Sequence, residues 1–197
     1  MTVRAGTSHD ASTAARLHAT AISEGFLPKL GPRFLTRLYR RIVHDPRAFL
    51  LVDEREGAVN GVIAGAEDLR ALYRVFARRD AVVAAAVAAP RVARNIGAVL
   101  ETWRYGGGGE GDDLPPAELL AVAVADTAQG QGVGQGLVNA LNDEFTRRNI
   151  DKVKVVVGAN NARAIKLYER CGYIDAATIE VHHNISSKVL VWSPPSH

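Results

Sequence analysis

The sequence has a single cysteine, Cys171. That excludes an intrachain disulfide and any cysteine cluster for a metal. Long apolar runs are also missing. The longest, AVVAAAVAAP at 81–90, is too short to cross a bilayer and leads straight into Arg91 and Arg94. Charge of one sign is scarce: 24 Lys and Arg stand against 21 Asp and Glu, a net +3, too little to argue for nucleic acid. The opening residues MTVRAGTSHD have no apolar core and do not read as a secretory leader. Together these absences lead to the expectation of a soluble cytoplasmic protein that uses no membrane, nucleic acid or metal.

What is present suits one packed domain. A chain of 197 residues, 47% hydrophobic, is long enough to bury a real core and short for two domains. Residues 2–7 read as a first strand. SHDASTAARLHATAI follows at helical spacing, with Ser8 or Asp10 as the N-cap. FLPKLGPRFLTRLYRRIV turns at Gly31-Pro32 and continues as an amphipathic helix. AFLLVDE and AVNGVIAGAE, separated by REG, predict an antiparallel hairpin. Residues 68–113 form a helical insertion ending in the glycine-rich loop GGGGEG. AELLAVAVA at 117–125 reads as a strand buried on both faces. Helix 133–149, strand 152–158 and helix 161–172 follow, the last ending at Gly172, a good residue to leave a helix on. YIDAATIEVHH and KVLVW predict a closing strand pair. KVLVW also suits the edge of a partner's sheet, which makes a homodimer an option.

The stretch QGQGVGQGL, residues 129–137, puts glycine at every second position between a strand and a helix. The first turn of a helix presents free N–H groups and a positive dipole end, so such a turn is built for phosphate. The dinucleotide pattern G-x-G-x-x-G fails, because the third position falls on Gln135 or Leu137. The Walker A pattern fails for want of Gly-Lys. Gln129-Gly130-Gln131-Gly132-Val133-Gly134 does fit Q/R-x-x-G-x-G/A. Downstream, NNARAIKLYERCGYI carries Asn161, Ala164, Leu167, Tyr168, Gly172 and Tyr173 at the spacing N-x-x-A-x-x-L-Y-x-x-x-G-[FY].

With these two motifs the chain resembles the GNAT superfamily of acetyl-CoA-dependent N-acetyltransferases, over roughly residues 117–175. The resemblance implies an α/β fold in one domain, residues 1–197. Its sheet would be mixed and mostly antiparallel, with two central parallel strands splayed apart and helices on both sides. It also implies acetyl-CoA as cosubstrate. The pyrophosphate would rest on Gln129, Gly130, Gln131, Gly132, Val133 and Gly134. The pantetheine arm would pair with Val122, Ala123 and Val124, like an added strand. Asn161, Ala164 and Tyr168 would complete the cosubstrate site. One departure is that many members have arginine where this chain has Gln129 and Gln131, so the loop itself brings less charge to the anion.

Amide formation from a thioester needs a base for the amine, a donor for the oxyanion and a proton or hydrogen bond for the departing thiolate. Tyr168 matches the family's tyrosine for the last role. A thiol has a pKa near about 8.5 and tyrosine about 10, so full transfer is uphill by roughly 2 kcal/mol and a strengthening hydrogen bond matters as much. Glu118 is the leading base. It precedes Val124 by an even count, which puts both on one face of a regular strand. Glu24 is the second choice for the base. His182 and His183 face opposite sides of a strand, where one would line the acceptor pocket. They make no metal site without a third ligand. Cys171 reads as an inert buried thiol. Arg70, Arg74 and Arg78 recur on one helical face, first as a solvated face and second as a lid for an anionic acceptor, together with Arg79, Arg91, Arg94 and Arg104. The expected function is acetyl transfer to a primary amine of a small molecule, such as an amino sugar. The alternatives are a protein amine as acceptor, or a non-catalytic acyl-CoA-binding module.

Overall fold

The two apolar runs near residue 50 form the hairpin their pattern predicts. Strands β2 (Ala48–Arg55) and β3 (Ala58–Ala66) pair antiparallel across Glu56-Gly57. Both turn residues have positive φ, 52° and 76°, which lets the two-residue turn follow the twist of the strands. The computed structural model describes residues 2–22, 26–80, 114–181 and 185–195. Around this hairpin lie β1 (Thr2–Ala5), β4 (Glu118–Val124), β5 (Val153–Gly158), β6 (Ile174–Val181) and β7 (Ile185–Trp192). They make one seven-stranded sheet in the order β1-β2-β3-β4-β5-β7-β6. Every pairing is antiparallel except β4 with β5.

Helices cover both faces. On one lie α1 (Ala11–Ala21), the single turn α2 (Phe26–Lys29), α3 (Pro32–His44) and a helix over residues 69–80, α4. On the other lie α5 (Val133–Arg147) and α6 (Ala162–Arg170). Each face closes over its own core. Leu35, Tyr39, Val52, Val62, Leu72 and Phe76 belong to the first. Ile63, Leu119, Leu137, Phe145, Val155 and Tyr168 belong to the second.

Two glycines in β3 let α5 lie close to the sheet. A Cβ on Gly65 would stand 2.7 Å from Phe49 Cζ and 2.9 Å from Phe145 Cζ. One on Gly61 would stand 2.8 Å from Leu137 Cδ1 and 2.9 Å from Val133 Cγ1. Gly61→Val is therefore expected to cost about 2 kcal/mol by overpacking, read in urea unfolding as a lower midpoint with an unchanged slope. An unchanged midpoint would mean that α5 gives way at no cost.

Several expectations change in the structure. Asp10 occupies the N-cap position of α1 but makes no capping bond. Its carboxylate instead accepts from the Thr7 N–H at 2.7 Å and from Arg4. Strand β4 is not buried on both faces; Leu119, Ala121 and Ala123 are buried while Leu120, Val122 and Val124 are half-buried. KVLVW lies in β7, which is bonded to β5 on one side and β6 on the other, so it has no free edge for a partner. The outer strands are β1 and β6.

Of the 68–113 stretch, residues 69–80 are described. Asp68 caps α4 by accepting from the Ala71 N–H at 2.8 Å. Leu72 and Phe76 face the core, while Arg70, Arg74 and Arg78 are all exposed, as a solvated basic face would be. Buried Asp80 pairs with Arg37 at 2.9 Å and Arg41 at 2.7 Å on α3. The rest of the insertion, with Arg91, Arg94, Arg104 and the glycine loop, lies outside the described residues.

Candidate active site

Two glycines of the run are required by the backbone of the turn. Gly130 and Gly132 hold φ of 75° and 79°, a region that strains any other residue, and Gly132 is the N-cap of α5. At Gly134 a methyl group would make ordinary van der Waals contact. A Cβ there would sit 3.4 Å from Leu167 Cδ2 and 3.7 Å from Val124 Cγ2, so the first turn of α5 lies close against α6 and the end of β4. The N–H groups of Val133, Gly134 and Gln135 open a helix and have no partner within it. They are the anion-facing groups of this turn.

Strands β4 and β5 part almost at once. Glu118 opposite Lys154 is their one paired position among the described residues, with the Lys154 N–H donating to the Ala117 carbonyl at 3.0 Å. Beyond it, the β5-facing edge of β4 is free. The Ala125 N–H donates to Asn60 on β3 at 2.8 Å. By strand alternation the backbone groups of Val122 and Val124 then point the other way, into the opening, while those of Ala123 point to β3. The opening leads from Glu118 to the glycine loop. The free backbone groups of Val122 and Val124 are of the kind that bond an extended amide chain, and the helix start is of the kind that bonds an anion.

Tyr168 comes from α6 and is 5% exposed. Its ring lies 5.7 Å from that of Tyr173. Burial, and then the nearby Cys171, raises its pKa above the ordinary tyrosine value. Tyr168 is therefore a protonated donor at any physiological pH. Cys171 is buried as expected, and burial raises its thiol too. Asn161 caps α6, its Oδ1 accepting from the Ala164 N–H at 3.1 Å. These two cosubstrate candidates thus meet each other at the helix start.

Glu118 sits where the strands part. The Lys154 ammonium lies 3.4 Å from its carboxylate. Burial raises the Glu118 pKa, and Lys154 opposes the rise without cancelling it. Tyr73 of α4 is close enough for the Glu118 charge to add to the effect of burial on its own pKa. The facing expected for Glu118 is corrected. The β3–β4 register slips between Ala64 and Gly65, so Leu120 is an extra residue in β4. Across the strands Glu118 stands opposite Ala66, on the α1 and α3 face, whereas Val124 stands opposite Gly61, on the α5 face. A bulge reverses the parity of the count. Glu24, His182 and His183 lie outside the described residues.

Sequence reading missed Tyr73, Asp53, Arg55 and Arg163. Arg55 Nη1 donates to Gln131 Oε1 at 3.1 Å, and Arg163 Nη1 to Gln129 Oε1 at 2.9 Å. No spacing rule links residue 55 to residue 131, because the contact exists only once the sheet brings the end of β2 beside the loop that follows β4. No group of three or more His, Cys, Asp or Glu able to hold a metal is found among the described residues.

A splayed parallel pair with a glycine loop and a helix start at its mouth defines a mixed α/β fold with an anion-compatible turn at the end of its open strand. The model of the acetyltransferase (GNAT) family matches residues 18–173. The chain belongs to this family. The mycothiol acetyltransferase of Beutenbergia cavernae is 35% identical over 65 residues, 33% of this chain and 22% of that protein. The [ribosomal protein bS18]-alanine N-acetyltransferase of Escherichia coli is 40% identical over 63 residues, 32% of this chain and 43% of that one. The matched stretch thus spans less than half the length of either relative. The protein yncA of Salmonella typhimurium, solved with its cofactor acetyl-CoA, shares the fold with a TM-score of 0.62 at 18% identity, covering 100% of this chain and 95% of that one. No helix among the described residues is long and apolar enough to cross a membrane.

Proposed function

We propose that this chain transfers the acetyl group of acetyl-CoA to a primary amine of a small cytoplasmic molecule, such as an amino sugar, by direct attack in a ternary complex. The observation that carries the reading is the opening between β4 and β5, with Glu118 at its closed end and the glycine loop at its mouth. Glu118, with its raised pKa, takes the amine proton, directly or through a water. A backbone N–H of β4 near Val124 faces the oxyanion. Tyr168 hydrogen-bonds the sulfur as it becomes a thiolate. Because burial raises the Tyr168 pKa further above that of a thiol, its role is a strengthening hydrogen bond rather than full proton transfer.

A protein amine is the second acceptor class, favoured by the name of the E. coli relative. The test is release of free thiol from acetyl-CoA with a panel of amino sugars, nucleotide amino sugars, polyamines, amino acids and N-terminal peptides. Turnover with one class is expected. Tyr168→Phe should reduce kcat by up to about 10²-fold with CoA affinity unchanged. Tight CoA binding without turnover on any amine would instead support a non-catalytic acyl-CoA-binding module.

A further inference from the structure

The two glutamines that replace arginine in the glycine loop each hold an arginine from elsewhere. Arg55 stands at the end of β2 and bonds Gln131; Arg163 stands in the first turn of α6 and bonds Gln129. They approach the loop through different residues of it and from different elements. Gln131 is anchored in turn, its Nε2 donating to the Thr127 carbonyl at 2.9 Å. Gln129 is held by Asp126 at 2.8 Å. The loop is thus a fixed frame that presents two guanidinium groups beside the free N–H groups of α5.

Asp53 adds an independent observation. It is fully buried, at 0% exposure, and neither carboxylate oxygen has a hydrogen-bond partner. Its cross-strand neighbour Gly61 lies against Val133 and Leu137, so Asp53 is on the sheet face under the first turns of α5. Arg55 Nε lies 3.4 Å from Asp53 Oδ2, close enough to pair charges but not aligned as a hydrogen bond. A buried carboxylate needs a counter-ion. Here that need holds the base of the Arg55 guanidinium and leaves its Nη edge turned to the loop.

We infer that Arg55 is a phosphate-binding residue for the cosubstrate, that Asp53 is its positioning residue, and that Arg163 supplies a second cation through Gln129. The charge missing from the loop sequence is brought to it by the sheet and by α6. The inference rests on acetyl-CoA as cosubstrate. A guanidinium serves a pyrophosphate or a ribose 3′-phosphate equally well, since both offer paired anionic oxygens.

The experiment is calorimetric binding of CoA, 3′-dephospho-CoA and uncharged pantetheine to the wild type, Arg55→Gln, Arg163→Gln and Asp53→Asn, at low and high salt. Arg55→Gln is expected to weaken CoA about 10-fold with a shallower salt dependence, and to leave pantetheine unchanged. An equal loss with 3′-dephospho-CoA assigns the contact to the pyrophosphate; no loss with it assigns the 3′-phosphate. Asp53→Asn should weaken CoA severalfold, again without touching pantetheine, an outcome that mere loosening of the fold would not produce. CoA affinity and salt dependence unchanged in folded Arg55→Gln would overturn the assignment alone. A wild type that does not bind CoA would overturn the acetyl-CoA reading and this assignment with it.

Discussion

Glu118→Gln is expected to lower kcat/KM for the amine about 10³-fold near neutral pH while leaving the protein no less stable. The two effects have one cause. The Glu118 side chain is 12% exposed where β4 and β5 part, and desolvation disfavours its charged form more than Lys154 favours it. A carboxylate whose folded pKa lies above its unfolded value binds its proton more tightly when folded. Its contribution to stability is then full below the unfolded value and is lost as pH rises through the folded one. At neutral pH the charged carboxylate is therefore a burden on the fold, and glutamine, of the same shape, lifts it. The wild-type acid limb of kcat/KM should lie above the ordinary glutamate range and vanish in the variant. The checks are a pH–rate profile and thermal melts of both proteins. Retained activity would move the base elsewhere, with Glu24 next in line. A clear fall in melting temperature would mean that the Lys154 pair, not burial, dominates at this position.

Acidification should destabilise the protein in two separable pH windows, the first set by His18. This residue is 5% exposed on α1, and its Nδ1 shares a hydrogen bond of 2.9 Å with the Tyr39 hydroxyl on α3. Burial lowers its pKa from 6.5 to about 4. The unfolded chain thus takes a proton near pH 6.5 that the folded chain refuses until about pH 4. Stability falls across that window by about 3 kcal/mol, at 1.36 kcal/mol for each unit of pKa difference. The second window lies lower. Asp10 is held at about 2 by Arg4 and Thr7 against the burial of its own carboxyl, so its stabilising contribution is kept above the ordinary value of 3.8 and lost as pH falls toward 2. Urea unfolding at several pH values should show the first loss in the wild type and not in His18→Leu. A variant that follows the wild-type curve would assign the loss to other groups.

Much of this architecture was legible from local pattern. Two short apolar runs marked β2 and β3, and Glu56-Gly57 turns between them with positive φ, as a tight hairpin requires. The glycines of 129–137 marked a helix start for an anion, and Gly130 and Gly132 do hold conformations that favour glycine. Gly172, with φ of 88°, leaves α6 as a C′ glycine should. These features depend on a residue and its near neighbours, and sequence carries such information directly.

Where the reading went astray, the deciding contact was distant. The strand 117–125 looks buried on both faces because it is apolar, but β5 leaves it after one pair and exposes Val122 and Val124 in part. Glu118 and Val124 share a parity in sequence and lose it through one bulged residue, whose cost is set by the partner strand. KVLVW has the composition of an edge strand, yet it is bonded on both sides.

By itself, then, the sequence determined the glycine loop, the helix it opens, the hairpin and the candidacy of Tyr168 and Glu118. Backbone conformations allowed to glycine and the periods of strand and helix are local properties of the chain. The tertiary structure alone decided which face Glu118 looks from and how far β4 and β5 part. It also brought Arg55 and Arg163 to Gln131 and Gln129, across 76 and 34 positions of chain. Strand register and the meeting of two charges are settled by packing between segments far apart in sequence, and no local period encodes them.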